Sequence, residues 1–329
     1  MILVLRALGV GDLATTTPAL RAIRAAHPDQ ELTLIAPGWL TPLVNLIGGV
    51  DRLVDAPGLG PLEWTGPTPD LAVNLHGRGP QSHRMLAATR PGRLLAFAND
   101  EADHHNGPPW RADEHEVDRW CRLLAWYGFP ADRSDLALRR PAPDGLPTGV
   151  TILHPGAKAP QRRWPPERFA AVARHLTAAG HHVVVTGNRS ERPSADQVAR
   201  LAGLPAEVVL AGHTDLHDLA TLTAHARLLI SGDTGIAHLA TAYRTPSVLL
   251  FGPASPAHWG PPPDRPWHEA LWTGPYRGAH ADAVPHPALA ALDVPDVLAA
   301  VDRVERGARA ADAVPRPRDQ RTRDVSPVG

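Results

Sequence analysis

Short β-type runs alternate with helical patterns along almost the whole 329-residue chain, and this alternation restricts the fold more than any other feature. In the first half, strands are expected at Ile2–Leu5, Leu32–Ile35, Arg52–Val54, Leu71–Leu75 and Arg93–Phe97, with helices near 13–26, 38–47, 81–89 and 113–127. The stretch "RRPAPDGLPTG", residues 139–149, carries three prolines and two glycines and reads as an interdomain linker. A second series follows, with strands at Thr151–His154, Val183–Thr186, Val208–Leu210, Leu228–Ser231 and Val248–Phe251. Its helices are expected at 166–179, 192–202, 215–225, 235–243 and 294–306. The fold class is therefore α/β, with two Rossmann-like, doubly wound parallel-sheet domains facing a cleft. They are expected at 1–140 and 150–306, joined by a linker at 141–149 and followed by a disordered tail at 307–329. Ligands of such sheets bind outside the carboxyl ends of the strands, which puts the expected site between the domains.

Composition narrows the partners. A formal net charge of -1 gives no electrostatic case for nucleic acid, and no more than peripheral contact with an anionic membrane surface is expected. The single cysteine, Cys121, excludes an internal disulfide and a four-cysteine zinc site, which fits a reducing cytoplasm. Met1 opens directly into a strand, so no secretory leader is expected, and no apolar run approaches the ~18 residues of a membrane span. The expected state is a cytoplasmic monomer. Lys158 is the only lysine and prolines number 36, a bias that makes an arginine on its own weak evidence of function.

Two turns carry chemistry. In "LRALGVGDLATTTPALRAIR", Gly9, Gly11 and Ala14 spell the G-x-G-x-x-A of a dinucleotide loop, yet Asp12 stands inside it and would compete with a pyrophosphate. The second strand ends in "LTLIAPGW", with no acidic residue to hold a ribose hydroxyl, so the dinucleotide reading fails. Asp12 is then either a helix cap or a group facing the cleft. In "LLISGDTGIAHLATAYRTPSVLLFGPASPAHWGP", a strand runs into the Gly232–Gly235 turn and a helix begins. Its free N–H groups and the Thr234 hydroxyl suit a phosphate, with His238 on the same face. The alternative is that Asp233 caps the helix and His238 is a core histidine. His213 and His217 share a helix face, but the glutamate of an H-E-x-x-H zinc site is absent. His104 and His105 lie in a polar loop, and neither a G-x-S-x-G elbow nor a P-loop occurs.

Three segments taken together, "GVGDLATTTPALRAIRAAHP", "HPGAKAPQRRWPPERFAAVARHL" and "SGDTGIAHLATAYRTPSVLLFGPASP", resemble glycosyltransferase family 9, the ADP-heptose heptosyltransferases of the GT-B fold. The resemblance covers nearly all of residues 1–305. It implies inverting, metal-independent transfer of a sugar, most simply heptose from ADP-heptose, with no cofactor beyond the nucleotide-sugar substrate. Asp12 is then the catalytic base, and Gly9 and Gly11 let the acceptor approach the backbone. His76 and Arg78 are expected on the acceptor side. Asp233, Thr234, Gly235, Ile236 and His238 are expected around the donor diphosphate and sugar. The family's basic residue before "WP", commonly lysine, corresponds to Arg162; Arg163 and Lys158 are neighbours able to share its role. Glu191 is expected at the ribose, and Leu210 and Gly212 at the adenine edge. A different nucleotide sugar, or a binding protein that lost turnover, are the alternatives. The acceptor stays open between a lipopolysaccharide core, whose acidic groups would suit Arg78, Arg84, Arg90 and Arg93, and a soluble glycoside or metabolite.

Overall fold

The computed structural model describes residues 1–60, 62, 64–276 and 282–313. The first half runs β1 (Ile2–Leu5), α1 (Val10–Ala14), α2 (Thr17–Ala26), β2 (Leu32–Ala36), α3 (Thr41–Ile47), β3 (Arg52–Asp55), β4 (Leu71–Asn74), α4 (Gln81–Ala87), β5 (Arg93–Leu95) and α5 (Glu116–Trp126). The second half runs β6 (Thr151–His154), α6 (Pro166–Ala178), β7 (Val183–Val185), α7 (Arg192–Ala202), α8 (Leu216–Ala224), β8 (Leu228–Gly232), α9 (Gly235–Tyr243), β9 (Ser247–Leu250), α10 (Pro256–Trp259), β10 (His268–Leu271), α11 (Pro287–Ala290) and α12 (Val294–Ala313). Two five-stranded sheets result, ordered β3-β2-β1-β4-β5 and β10-β9-β8-β6-β7, with every pairing between these strands parallel. Central strands such as β1 and β8 are buried along their whole length, as a sheet covered by helices on both faces requires. In both sheets the chain reverses direction of winding at the central strand, and the loops after β1 and β8 therefore open onto the carboxyl edge where ligands bind.

Four differences from the sequence reading have physical causes. The helix expected over 13–26 is two helices. Pro18 has no N–H to offer the Ala14 carbonyl, which instead accepts the Thr17 hydroxyl at 2.9 Å, while Thr15 and Thr16 bond back to Asp12 and Leu13. The strand expected at Val208–Leu210 is only an isolated bridge, Val185 with Val209, because residues 206–208 turn tightly after Pro205. The edge strand β10 was not expected, since "HEAL" holds no β-branched residue. Finally, α12 continues through Gly307 to Ala313, so the tail expected from 307 begins later; positions 314–329 lie outside the described residues. Gly307 does not end the helix; it lets α12 lie against the Pro266 carbonyl, where a side chain would clash.

The two halves share a core. Ala220, Ala224, Leu239, Ala242 and Tyr243, from α8 and α9, belong to the same buried cluster as the residues under the first sheet. Arg140 donates to the carbonyls closing α8 and α9, and the His115 ring bonds the Gly260 carbonyl across the junction at 3.0 Å. At its centre α1 packs against α9. A Cβ on Gly11 would stand 2.7 Å from the His238 ring, and one on Gly235 would stand 2.7 Å from Val10 Cβ. Among the described residues, no helix is long and apolar enough to cross a membrane.

Candidate active site

Asp12 occupies the third position of α1, whose N-cap is Gly9, so it is not the cap itself. Its carboxylate accepts the Gly9 N–H at 3.1 Å and lies 3.5 Å from the Arg6 guanidinium. Arg6 follows β1 directly and is almost fully buried. It donates to the Asp12 carbonyl at 2.9 Å, to the Leu75 carbonyl at 2.6 Å and to Glu116 at 2.8 Å, with its guanidinium 4.8 Å from the Trp120 ring centre. Glu116 also accepts from Arg119 and from the Trp120 indole at 2.9 Å. Burial acts to raise the Glu116 carboxyl, but Arg6, Arg119 and Trp120 outweigh it and hold it below its usual range. This network fixes the loop that presents Asp12. Sequence reading missed both Arg6 and Glu116, because arginine is so abundant here that none stands out.

A buried charge left without its partner is costly. Glu116→Ala is expected to lower unfolding stability by about 3–5 kcal/mol, measured by urea denaturation at pH 7. A loss under about 1 kcal/mol would show that the network contributes little net stability.

Across the junction, β8 delivers Asp233 into a nearly buried position and Thr234 forms the N-cap of α9 in extended conformation. Asp233 does not cap the helix; its carboxylate accepts from Arg162 at 3.1 Å. Burial pushes the Asp233 carboxyl up, opposed by Arg162 and His238. Burial pushes the His238 imidazole down, opposed by Asp233 and Asp12, so His238 is held toward its neutral form. Its ring meets Trp259 edge-on at 6.0 Å. No side chain caps α9, which leaves its opening N–H groups directed at the cleft.

The loop after β6 supplies the remaining charges. Lys158 and Arg162 line the cleft, whereas Arg163 turns away and donates to the Ala157 carbonyl at 2.9 Å. Glu191 accepts the Asn188 N–H at 2.8 Å and packs onto Gly156, where any side chain would displace its carboxylate. Both Glu191 and Asn188 line the cleft. Burial pushes the neighbouring His154 down, with Glu191 opposing.

The cleft has a volume of about 960 Å³, and it gathers Gly9, Gly11 and Asp12 from the first half with Lys158, Arg162, Glu191, Asp233, Thr234, Gly235, Ile236 and His238 from the second. Five of the expected site residues stand outside this lining. Leu210 and Gly212 do not line it: Leu210 packs beside the core under the second sheet, and Gly212, at φ +76°, folds against Arg189. The nearby residues that do line the cleft are Thr214, Asp215, Leu216 and Leu219. Arg163 is turned aside, as described. His76 and Arg78 also stand outside the lining. Burial and then Arg6 lower the His76 imidazole to about 4 against the opposing pull of Asp12, and its Nδ1 is buried without a hydrogen-bond partner. Gly11 lines the cleft, but its smallness answers to the His238 ring. Two aromatic residues that sequence reading passed over, Trp39 and Trp259, complete the wall. Among the described residues, no group of three or more His, Cys, Asp or Glu side chains is placed to hold a metal ion.

Residues 94–272 match the model of glycosyltransferase family 9, described as heptosyltransferase. The lipooligosaccharide heptosyltransferase 2 of Haemophilus influenzae is 32% identical over 298 residues, spanning 78% of this chain and 84% of that relative. The lipopolysaccharide heptosyltransferase 2 of Escherichia coli K12 is 26% identical over 297 residues, 78% of this chain and 83% of its own length. Among solved structures, a glycosyl transferase family 9 protein from Veillonella parvula superposes with a TM-score of 0.77 at 21% identity, covering 93% of this chain and 97% of that one. The E. coli ADP-heptose lipopolysaccharide heptosyltransferase II gives 0.72 at 19% identity, covering 94% and 99%. At such identities the structures speak for the fold, and it is the GT-B arrangement of two facing α/β halves. The family match over residues 94–272, more than half of the chain, together with the Haemophilus relative, decides the rest: this chain is a glycosyltransferase, and it belongs to glycosyltransferase family 9.

Proposed function

We propose that the protein transfers heptose from ADP-heptose to an acceptor hydroxyl by direct, inverting displacement without a metal ion. The observation that carries this reading is the meeting of the Asp12 carboxylate with the α9 terminus and Arg162 in one cleft. Asp12 takes the proton of the acceptor hydroxyl as its oxygen attacks the anomeric carbon. The C–O bond to the diphosphate breaks on the opposite face, and ADP departs toward the N–H groups of Gly235 and Ile236 and the Arg162 and Lys158 cations, which offset its charge. Arg162 is a departure from the lysine common in the family, with the same charge and a different geometry. In this reading Glu191 and Asn188, which line the cleft, bind the ribose hydroxyls. The names of the relatives support a lipopolysaccharide-type core as the acceptor class; a soluble glycoside or metabolite is the alternative. The same reading makes the protein a cytoplasmic monomer with at most peripheral membrane contact; burial raises the Cys121 thiol to about 12, keeping the one cysteine unreactive.

Release of nucleoside diphosphate from ADP-heptose, UDP-glucose and GDP-mannose tests the donor. ADP-heptose is expected to turn over at least about tenfold faster than the others, and the activity to persist in EDTA. Equal turnover of a UDP or GDP sugar would overturn the donor assignment. Abolition by EDTA with rescue by magnesium would overturn the metal-free mechanism.

A further inference from the structure

A diphosphate and a base leave little freedom for the sugar between them. In the proposed reaction the diphosphate lies at the uncapped start of α9, and the acceptor oxygen lies between Asp12 and the anomeric carbon. The transferred sugar therefore sits at the rim of the contact between α1 and α9. His238 marks that rim from the α9 side, so close to the loop of Asp12 that a Cβ on Gly11 would stand 2.7 Å from its ring. Trp259 borders the same place. Its indole meets the His238 ring edge-on, with ring centres 6.0 Å apart, and it packs on the cluster that holds Ile236 and Ala237 at the start of α9.

Trp259 is half-buried and lines the cleft, and the turn that carries it is tied at three points. Ser255 caps α10 by accepting the Ala257 N–H at 3.2 Å, and the Gly260 N–H donates to the Pro256 carbonyl at 2.7 Å. From the other half of the molecule, the His115 ring bonds the Gly260 carbonyl at 3.0 Å. The turn has no slack, since a Cβ at position 260 would stand 2.5 Å from the Pro256 carbonyl oxygen. His115 directly precedes Glu116, the residue that pairs with Arg6, and Arg6 in turn lies 3.5 Å from the Asp12 carboxylate. The indole and the base are thus mounted on one bonded frame that spans the junction, which fixes the one relative to the other.

We infer that Trp259 is the platform for the sugar ring of the donor. The C–H side of the pyranose lies against the indole, with the anomeric carbon turned toward Asp12 and the diphosphate toward α9. Such a contact adds affinity for the sugar and none for the nucleotide. It therefore favours the intact donor over ADP, the product that must leave, and it holds the anomeric carbon in line for attack. This inference rests on the proposed donor and on Asp12 as the base, which together set where the sugar lies.

Calorimetry on the full-length protein, without acceptor, compares ADP with ADP-heptose in wild type, Trp259→Ala and Trp259→Phe. Trp259→Ala is expected to weaken ADP-heptose at least about fivefold and ADP by less than about twofold. Trp259→Phe keeps an aromatic face and is expected to weaken ADP-heptose by less than about threefold. A second reading does not need the alanine variant to fold. In wild-type protein carrying isotope-labelled tryptophan, the indole N–H signal of Trp259, assigned by its absence from Trp259→Phe, is expected to shift between the ADP and ADP-heptose complexes. An unmoved signal, equal losses of affinity for ADP and ADP-heptose, or no loss for either would each overturn the inference. Failure of the wild type to bind ADP-heptose would overturn the donor assignment along with it, whereas wild-type binding that is indifferent to position 259 overturns this inference alone. None of these readings requires turnover, so a failure here is separable from a failure of Asp12 as the base.

Discussion

Arg162→Ala is expected to lower kcat by about 10²–10³ while the protein stays folded. The guanidinium pairs with buried Asp233 at 3.1 Å, and its own side chain is 42% exposed and lines the cleft. In the proposed reaction, negative charge grows on the departing diphosphate, so a cation there stabilises the transition state more than the ground state. Loss of the charge therefore appears chiefly in kcat. Asp233 adds a second effect. Burial already holds its carboxyl above the usual range, with Arg162 opposing, so removing Arg162 raises it further. A carboxyl raised on folding adds stability below its unfolded value, near about 4, and that contribution is lost as pH rises through the folded value. The variant should consequently melt lower at pH 7 than at pH 5 relative to wild type. Arg162→Lys restores the charge without the fork and is expected to recover part of the rate. Steady-state kinetics with a melt at both pH values check this. Wild-type kcat in Arg162→Ala alongside the same loss of stability would confine Arg162 to supporting Asp233.

Much of this architecture is legible from residue order because parallel strands buried on both faces read as near-continuous apolar runs, and Ile2–Leu5 and Leu228–Ile230 are such runs. The elements that escaped lack that signal. His268–Leu271 is strand only because β9 offers it an edge, and the break at Thr15–Thr16 is hidden by a helical periodicity that continues past Pro18. For the site, turn chemistry made Asp12 and the Asp233–Gly235 turn visible, and the cleft brings them together. Residues that act by reaching across the fold were not visible. Arg6 meets Glu116 from more than a hundred positions away, and Arg163 turns from the cleft where Arg162 enters it, a difference of side-chain direction that adjacent arginines do not reveal. Leu210 and Gly212 stand outside the lining for a related reason: the chain makes only one bridge there before turning, and it is Thr214 and Asp215 that reach the cleft.

The central claim is that Asp12 removes the acceptor proton. Asparagine has nearly the volume of aspartate and its side-chain oxygen can still accept the Gly9 N–H, so Asp12→Asn preserves the opening of α1. It cannot take a proton. The donor contacts proposed here lie on the other half, and Arg6 keeps Glu116 and the Leu75 carbonyl as partners. ADP affinity and melting temperature should therefore change little. The most direct measurement is single-turnover transfer from ADP-heptose by Asp12→Asn, with ADP affinity and a thermal melt on the same preparation. The account predicts a rate lower by about 10²–10⁴ with both other quantities near wild type. A near-wild-type rate would contradict it and leave Asp12 as a residue that only steadies the start of α1.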